Sequence, residues 1–341
     1  MKTLLVVRAR WRHLGGHSGL APLIGELGQY FRVKVVSPNL LDHAIGVLLW
    51  SVILLSIRRK WKHLIPWSPF YSRESVVLEL AAFRSCIFWG RPHHVLYEAV
   101  EDHYFLLHKL LPRRLVGELS ISGIFHQPPS WWKLNGVGKA AASGLRCAFV
   151  LSLEAEKFLS DLLPVSVRRV DHGVDWVFFR HQTDRSLDPS SESMQVVFSG
   201  QWLRDFSLLH SIIRLAFSER LPVEFVLIVP LSARRPDRDL SSSRLSNVTW
   251  KHGLSDSELA ATYGAAHMML LPLQDATANN SLLEGMAAGL PILVTDLSGV
   301  REYGQDTVIY ISDDPSQIVS IIRDAHACYS SFARLGAKAA A

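Results

Sequence analysis

The sequence predicts an α/β protein of two doubly wound, Rossmann-like domains, and three observations carry that expectation. Short apolar, β-branched stretches alternate with helix-patterned segments along the chain. A polar stretch with a proline, residues 183–193 (TDRSLDPSSES), interrupts the alternation near the middle, as an interdomain linker does. Residues 279–296 read as polar loop, helix, Gly-Leu-Pro break and buried strand, one full turn of a βαβ repeat. The expected division is a domain over 1–180, a linker over 181–194 and a domain over 195–341, the two domains facing a cleft. With 48% hydrophobic residues in 341, two cores can be filled.

Composition narrows the function classes. Cys86, Cys147 and Cys328 are too few and too scattered for a disulfide framework or a metal site, and they suit a reducing cytosol. The opening MKTLLVVRAR has a short apolar run broken by Arg8 and Arg10, which reads as a first strand rather than a signal peptide. Residues 1–180 hold 23 Lys and Arg against 13 Asp and Glu, whereas the rest holds 13 against 18. A first half at +10 joined to a second at −5 is expected to face something anionic, with acidic lipid headgroups preferred. Nucleic acid is not expected, because no nucleic-acid motif or aromatic-basic stripe accompanies the charge.

Taken in order, residues 3–7 form a strand and the turn Gly15-Gly16-His17-Ser18-Gly19 leads into a helix over 20–30. Glycines between strand and helix let a backbone approach a ligand closely, although the spacing is not a dinucleotide fingerprint. Residues 33–37 read as a second strand. The apolar run 44–57 follows, closed by Arg58-Arg59-Lys60-Trp61-Lys62-His63. At 14 residues it is too short to span a bilayer, which takes about 20. With Trp50, Trp61 and Trp67 and the basic cluster it fits a helix lying in the interface of an anionic membrane; the alternative is a core helix with a solvated basic end. Helix patterns over 76–86 and 105–111 flank a strand over 94–97 that ends in Glu98. A strand over 119–125 runs into His126-Gln127-Pro128-Pro129, which places an imidazole at a carboxyl strand end, where ligands bind in open α/β sheets. Trp131 and Trp132 after it either line an acceptor groove or pack. Strand 146–152, helix 153–162 and strand 167–170 complete the half.

The second half opens with a strand over 195–199 and the turn Gly200-Gln201-Trp202-Leu203-Arg204-Asp205. Strands over 225–229 and 248–252 follow, then Gly253-Leu254 and Ser255 as the cap of a helix starting Asp256-Ser257-Glu258. After strand 268–271, Asn280 or Ser281 caps a helix that carries Glu284 in its first turn, and Gly289 and Pro291 end it. A helix N-terminus suits a phosphate, and a carboxylate in its first turn can accept ribose hydroxyls; Glu284 is also a good structural residue there.

This last stretch resembles the donor-site helix of glycosyltransferase family 4, the retaining enzymes of GT-B fold, in which a Glu, seven residues and a second Glu open a helix running into Ala-x-Gly-x-Pro-Val. Glu284 matches the second Glu. The first falls at Ala276, with Asp275 beside it, and this is a departure. The resemblance extends over most of 120–330: His126 at its strand end, His172-Gly173-Val174-Asp175, Gly200, the Gly-Leu-Ser-Asp-x-Glu-Leu run with Tyr263, and Ser298-Gly299-Val300-Arg301-Glu302. Gln201 stands where the family has Arg, leaving Arg204 as the nearby cation. Members usually continue with a tail helix crossing back to the first domain, which this chain is expected to lack.

The resemblance implies transfer of a sugar from a nucleotide-diphosphate donor, with retention and without a metal or other cofactor, to a glycan or lipid-linked acceptor in polysaccharide biosynthesis. It implies donor contacts at Gly15, Gly16, Gly200, Gln201, Asn279, Asn280, Ser281 and Glu284. Glu284 would hold the ribose, Arg204 the diphosphate and His126 the sugar, with His17 and Trp131 toward the acceptor; His17 fits a capping or solvent-facing place equally. Trp50, Arg58, Arg59, Lys60 and Trp61 are the expected membrane contacts, and the expected location is the cytoplasm, peripheral on the inner face of the membrane. The alternatives are a non-catalytic nucleotide-sugar-binding subunit and a GT-B epimerase.

Overall fold

The computed structural model describes residues 1–8, 16–88, 92–136, 138–180, 193–234 and 245–340. Gly15 and nearly all of the expected linker lie outside the described residues. The chain divides into two compact units, one of Met1–Arg12 and Leu23–His172 and one of His13–Pro22 and Gly173–Ala341. This grouping differs from the expected boundary near 180: residues 16–22 and residues 173–180 fall with the second unit. The reason is a two-stranded antiparallel pairing in which Ser18 meets Val174 and Gly19 meets Gly173.

Strands are numbered along the chain. The first unit contains β1 (Lys2–Val7), β3 (Phe31–Val35), β4 (His94–Tyr97), β5 (Ser120–Phe125), β6 (Cys147–Val150) and β7 (Ser166–Arg169), all parallel, in the order β3-β1-β4-β5-β6-β7. The apolar run Leu4–Val7 of β1 is buried throughout, as expected of a parallel sheet covered on both faces. The order reverses direction at β1, so the gap between the carboxyl ends of β1 and β4 is the switch point. The core gathers Leu5, Val7, Val95, Tyr97, Ile121, Phe125, Trp132 and Ala148.

A buried carboxylate organises the helices of this unit. Glu79, on the helix Arg73–Phe88, accepts hydrogen bonds from the hydroxyls of Tyr71 (2.6 Å) and Tyr97 (3.2 Å) and from the N–H groups of Phe105, Leu106 and Leu107. Burial pushes its pKa up, and the Tyr71 hydroxyl and the three backbone N–H groups oppose that. Because three successive N–H groups turn toward Glu79, the helix expected over 105–111 forms only as Leu107–Leu110. The apolar run is one helix, Leu40–Arg58, started earlier than expected by a capping box of Asn39 and Asp42; at 19 residues it is, contrary to the expectation, long and apolar enough to cross a membrane by length and composition. Asp42 also pairs with Arg84 at 2.8 Å.

The second unit holds β2 (Ser18–Gly19) and β8 (Gly173–Val174), the antiparallel pair, and a second six-stranded sheet. Its strands are β9 (Met194–Ser199), β10 (Val223–Ile228), β11 (Val248–Lys251), β12 (Met268–Leu271), β13 (Ile292–Thr295) and β14 (Ile309–Ile311). All are parallel, ordered β11-β10-β9-β12-β13-β14, so the switch point lies between β9 and β12. β12 (MMLL), fully buried, and β13 (ILVT), buried except at Thr295, read in the sequence as they stand in the sheet. Helix Ser298–Gly304 was not expected. Its Gly299 packs so closely on the loop before the 280s helix that a Cβ there would sit 2.3 Å from Ala276 O and 2.5 Å from Thr277 O. Two helices follow β14, Pro315–Ala327 and Tyr329–Ala339, separated at Cys328, which leaves helical backbone (φ −136°, ψ 52°).

Candidate functional site

In the second unit, the chemistry collects at the switch point, on the loops that leave β9 and β12. Asn279, not Asn280 or Ser281, caps the helix Asn280–Ala287, its side chain accepting from Leu282 N. The helix therefore starts earlier than expected, and Glu284 lies in its second turn, inside the protein rather than at the rim. Its Oε1 accepts from the Ser18 hydroxyl at 2.5 Å and its Oε2 from the Tyr263 hydroxyl at 3.0 Å. Burial raises its pKa, opposed by those two hydroxyls and by the positive charge of Arg204. Tyr263 is itself buried, and burial and the Glu284 carboxylate push its pKa well up, so it remains a donor.

Arg204 folds back over Gly200. Its Nε donates to Ser199 O (2.8 Å), Nη1 to Trp202 O (3.1 Å), and Nη2 to Asn279 Oδ1 (3.2 Å) and Ser281 Oγ (3.1 Å). Four bonds fix a guanidinium against the amino end of the Asn280–Ala287 helix, with one N–H on Nη1 left over. Burial brings its pKa down to about 10, which leaves it a cation at neutral pH. Gly200 has φ +104°, and a Cβ there would lie 2.6 Å from Arg204 Nη2, so only glycine admits this arrangement. The Gly200 N–H is committed to Ile228 O at 3.0 Å; its contribution is close backbone approach, not a free amide. Gln201 and Asn280 are half-buried on the same two loops.

The Gly-rich turn joins this cluster. Gly16 N donates to Asp256 Oδ2 at 2.8 Å, His17 Nδ1 lies 2.9 Å from Asp175 Oδ2, and the His17 ring stacks on Phe178 with centroids 3.6 Å apart. The His17 bond holds the Asp175 carboxyl below its ordinary value. Ala276, at the position of the expected first Glu, is buried, and the neighbouring Asp275 carboxylate accepts from Ala276 N at 2.7 Å. An open groove lined by Trp250, Lys251, His252, Leu254, Glu258 and Thr262 runs along the edge strand β11 and shares no residue with the Arg204 and Glu284 network.

In the first unit, Arg8 and Glu98 follow β1 and β4 and pair at 2.9 Å across that sheet's own switch point. Burial pushes Glu98 up to about 7 despite Arg8. His126 follows β5, at the carboxyl strand end as expected; it is half-buried, its Nε2 lies 2.6 Å from Glu98 O, and burial lowers its pKa. Beneath it Glu101 Oε1 accepts from His126 N and Gln127 N at 2.8 and 2.9 Å, and burial pushes that carboxyl up to about 8.

Two expected site residues lie inward in the first unit. Trp131 is buried, stacked on Phe70 at 5.3 Å, and belongs to the core rather than to an acceptor groove. Trp50 is half-buried against the cluster around Ile53 and Tyr71, so of the expected aromatic membrane contacts Trp61 is the exposed one. Trp67 is also packed, donating to Tyr104 O at 2.9 Å. Sequence reasoning gave no site role to Tyr263, Ser18, Asp175 or the Arg8–Glu98 pair. The signal available for Ser18 was its place beside His17 in the Gly-rich turn, and for Arg8 and Glu98 their places just past two strands.

Two six-stranded parallel sheets, each doubly wound about a switch point that carries polar residues, define the class: the fold is GT-B. Solved structures agree. An alpha,alpha-trehalose 6-phosphate synthase from Burkholderia multivorans matches with TM-score 0.67 at 12% identity, over 100% of this chain and 93% of its own. A sucrose-phosphate synthase from Thermosynechococcus elongatus matches with TM-score 0.59 at 16% identity, over 77% and 72%. The catalytic domain of starch synthase IV from Arabidopsis thaliana, bound to ADP and acarbose, matches with TM-score 0.57 at 12% identity, over 82% and 75%. No curated sequence matches the chain at a significant level. The family model described as glycosyl transferases group 1 matches residues 196–327, the stretch that contains Gly200, Arg204, Asn279 and Glu284. Its second unit thus carries a group 1 glycosyl transferase domain, and fold and domain together place the chain among the glycosyltransferases.

Proposed function

We propose that this protein transfers a sugar from a nucleoside-diphosphate donor to a glycan or lipid-linked acceptor with retention of configuration, as a family 4-type enzyme of polysaccharide biosynthesis. The observation that carries the reading is the four-bonded Arg204 guanidinium against the Asn280–Ala287 helix, beside a glycine that admits nothing larger. A preorganised cation and a helix amino end meet the charge that develops on a departing diphosphate, and they do so without a metal. Glu284 would accept a ribose hydroxyl through lone pairs that Ser18 and Tyr263 leave open, and His126 would contact the sugar. Retention needs no base or nucleophile where the diphosphate leaves on the face the acceptor enters. The proposed location is the cytoplasm, with peripheral contact to an anionic membrane through Arg58, Arg59, Lys60 and Trp61.

A non-catalytic nucleotide-sugar-binding subunit is the second reading, favoured by buried Ala276 where the family's sugar-contacting Glu would stand. A panel of nucleotide sugars, assayed for released nucleoside diphosphate, separates the two. Release from one donor, lowered about 10²-fold in Arg204→Ala and in Glu284→Gln, supports transfer. A donor that raises the melting temperature yet releases nothing with any acceptor supports the binding subunit, and no binding by any donor sinks both.

A further inference from the structure

The helix Leu40–Arg58 presents an apolar surface that its own unit leaves uncovered. At 3.6 residues per turn, the inward side chains Asp42, Gly46, Leu49, Trp50, Ile53 and Ser56 occupy an arc of about 120°, so about two-thirds of the circumference faces away from the unit. Along one flank of that arc run Leu41, Ile45, Leu48, Val52 and Leu55, all exposed, Leu48 at 68%. Along the other run Leu40, Val47 and Leu54, also exposed. Between Asp42 and Arg58 the helix carries no Asp, Glu, Lys or Arg. Its polar hydroxyls are satisfied within the helix: Ser51 Oγ donates to Val47 O at 3.0 Å and Ser56 Oγ to Val52 O at 2.8 Å. At the carboxyl end Lys60, at φ +57°, turns the chain, and Arg58, Arg59, Lys60 and Lys62 gather beside exposed Trp61.

We infer that this helix is a monotopic membrane anchor, immersed lengthwise in the acyl region of an anionic bilayer, with its apolar flanks carrying the affinity and the basic end steering it to acidic headgroups. The occupant follows from the shape of the surface and its charge. A second protein helix, or a second copy of this chain, covers one stripe of about 100° and leaves the other flank in water. Fluid acyl chains wrap both flanks, and a helix with internally bonded hydroxyls loses nothing in entering them. Four cations and a tryptophan at one end match an anionic headgroup layer. The helix does not cross the bilayer while the fold is intact, because Gly46 packs on Val77 and Ile53 on Val76 and Leu80 of the Arg73–Phe88 helix, which holds it flat against the unit. This deepens the membrane contact proposed above and is independent of the donor chemistry.

The test is flotation of the full-length protein with vesicles of neutral lipid and of neutral lipid mixed with anionic phosphatidylglycerol, with no donor present. The wild type is expected to float with both, more strongly with the anionic mixture. Leu48→Glu with Leu55→Glu, and separately Val47→Glu with Leu54→Glu, should each weaken binding at least tenfold on either vesicle, with melting temperatures within about 2 °C of wild type, since the sites are exposed. Arg58→Glu with Arg59→Glu should abolish the anionic preference and leave the neutral binding. Wild type that binds neither vesicle overturns the inference, whatever the donor assay shows. So does loss confined to one flank, or a wild-type dimer in solution that either flank variant dissociates. Failure of donor turnover with vesicle binding intact would instead refute the transferase reading alone.

Discussion

Replacing Gly200 by alanine tests the geometry of the donor loop most directly. The backbone there is at φ +104°, where an L side chain costs about 1–3 kcal/mol. The new Cβ would also meet Arg204 Nη2, Cζ and Nε at 2.6, 2.9 and 3.0 Å. A free arginine would swing aside at little cost, but this one is held by Ser199 O, Trp202 O, Asn279 Oδ1 and Ser281 Oγ. Giving up one or two of those bonds at about 1.5 kcal/mol each brings the total to about 4 kcal/mol. For a unit of this size that lowers Tm by about 8–16 °C. The displaced guanidinium should weaken nucleoside-diphosphate binding at least tenfold. Thermal unfolding and diphosphate titration read the two effects, and a double-mutant cycle divides them: in an Arg204→Ala background the obstacle is gone, so Gly200→Ala should cost only the backbone share. A variant within about 2 °C of wild type with affinity inside twofold would refute the reasoning. A strictly additive cycle would refute the contact with Arg204.

Two further outcomes are expected. Glu101 titrates at about 8 in the folded protein against an ordinary 4.5, because burial disfavours its charge, so the folded state holds an extra proton between those values. The first unit should therefore lose stability as pH rises from about 4.5 to 8; Glu101→Gln, which keeps an oxygen for His126 N and Gln127 N, should flatten that slope, and denaturant melts at pH 5 and pH 8 will show whether it does. Gly299→Ala would drive a methyl into the carbonyls of Ala276 and Thr277, at 2.3 and 2.5 Å, costing about 1–3 kcal/mol and loosening the loop before Asn279. Its melting temperature and diphosphate affinity should fall together; a change in neither would mean that helix Ser298–Gly304 does not brace the loop.

Much of this was legible in the chain because local rules sufficed. Strands buried on both faces must be apolar and short, so β1, β5, β12 and β13 announce themselves, and Ser255 with Glu258 forms the capping box its spacing implies. Gly200, Arg204 and Glu284 stand out for the same reason: a close turn, a cation and a helix amino end are local properties. The misreadings came where a distant group competed. Glu79 reached across about 26 residues to take the amides of 105–107, and no periodicity records that.

The sequence by itself determined the alternation of strands and helices, the places of the breaks, and the residue types at the two switch points, because each depends on neighbours within about a turn of chain. Only the tertiary structure decided what those residues do. It buried Glu284 between Ser18 and Tyr263, locked Arg204 over Gly200, and sent Trp131 and Trp50 toward the core while leaving Leu41, Ile45, Leu48, Val52 and Leu55 outside. Hydrophobicity says that a side chain prefers to leave water; which surface receives it is set by the packing of elements far apart in the chain. The same rule explains why the Gly-rich turn joined the second unit: two antiparallel residue pairs, separated by more than 150 positions, outweighed its place in the sequence.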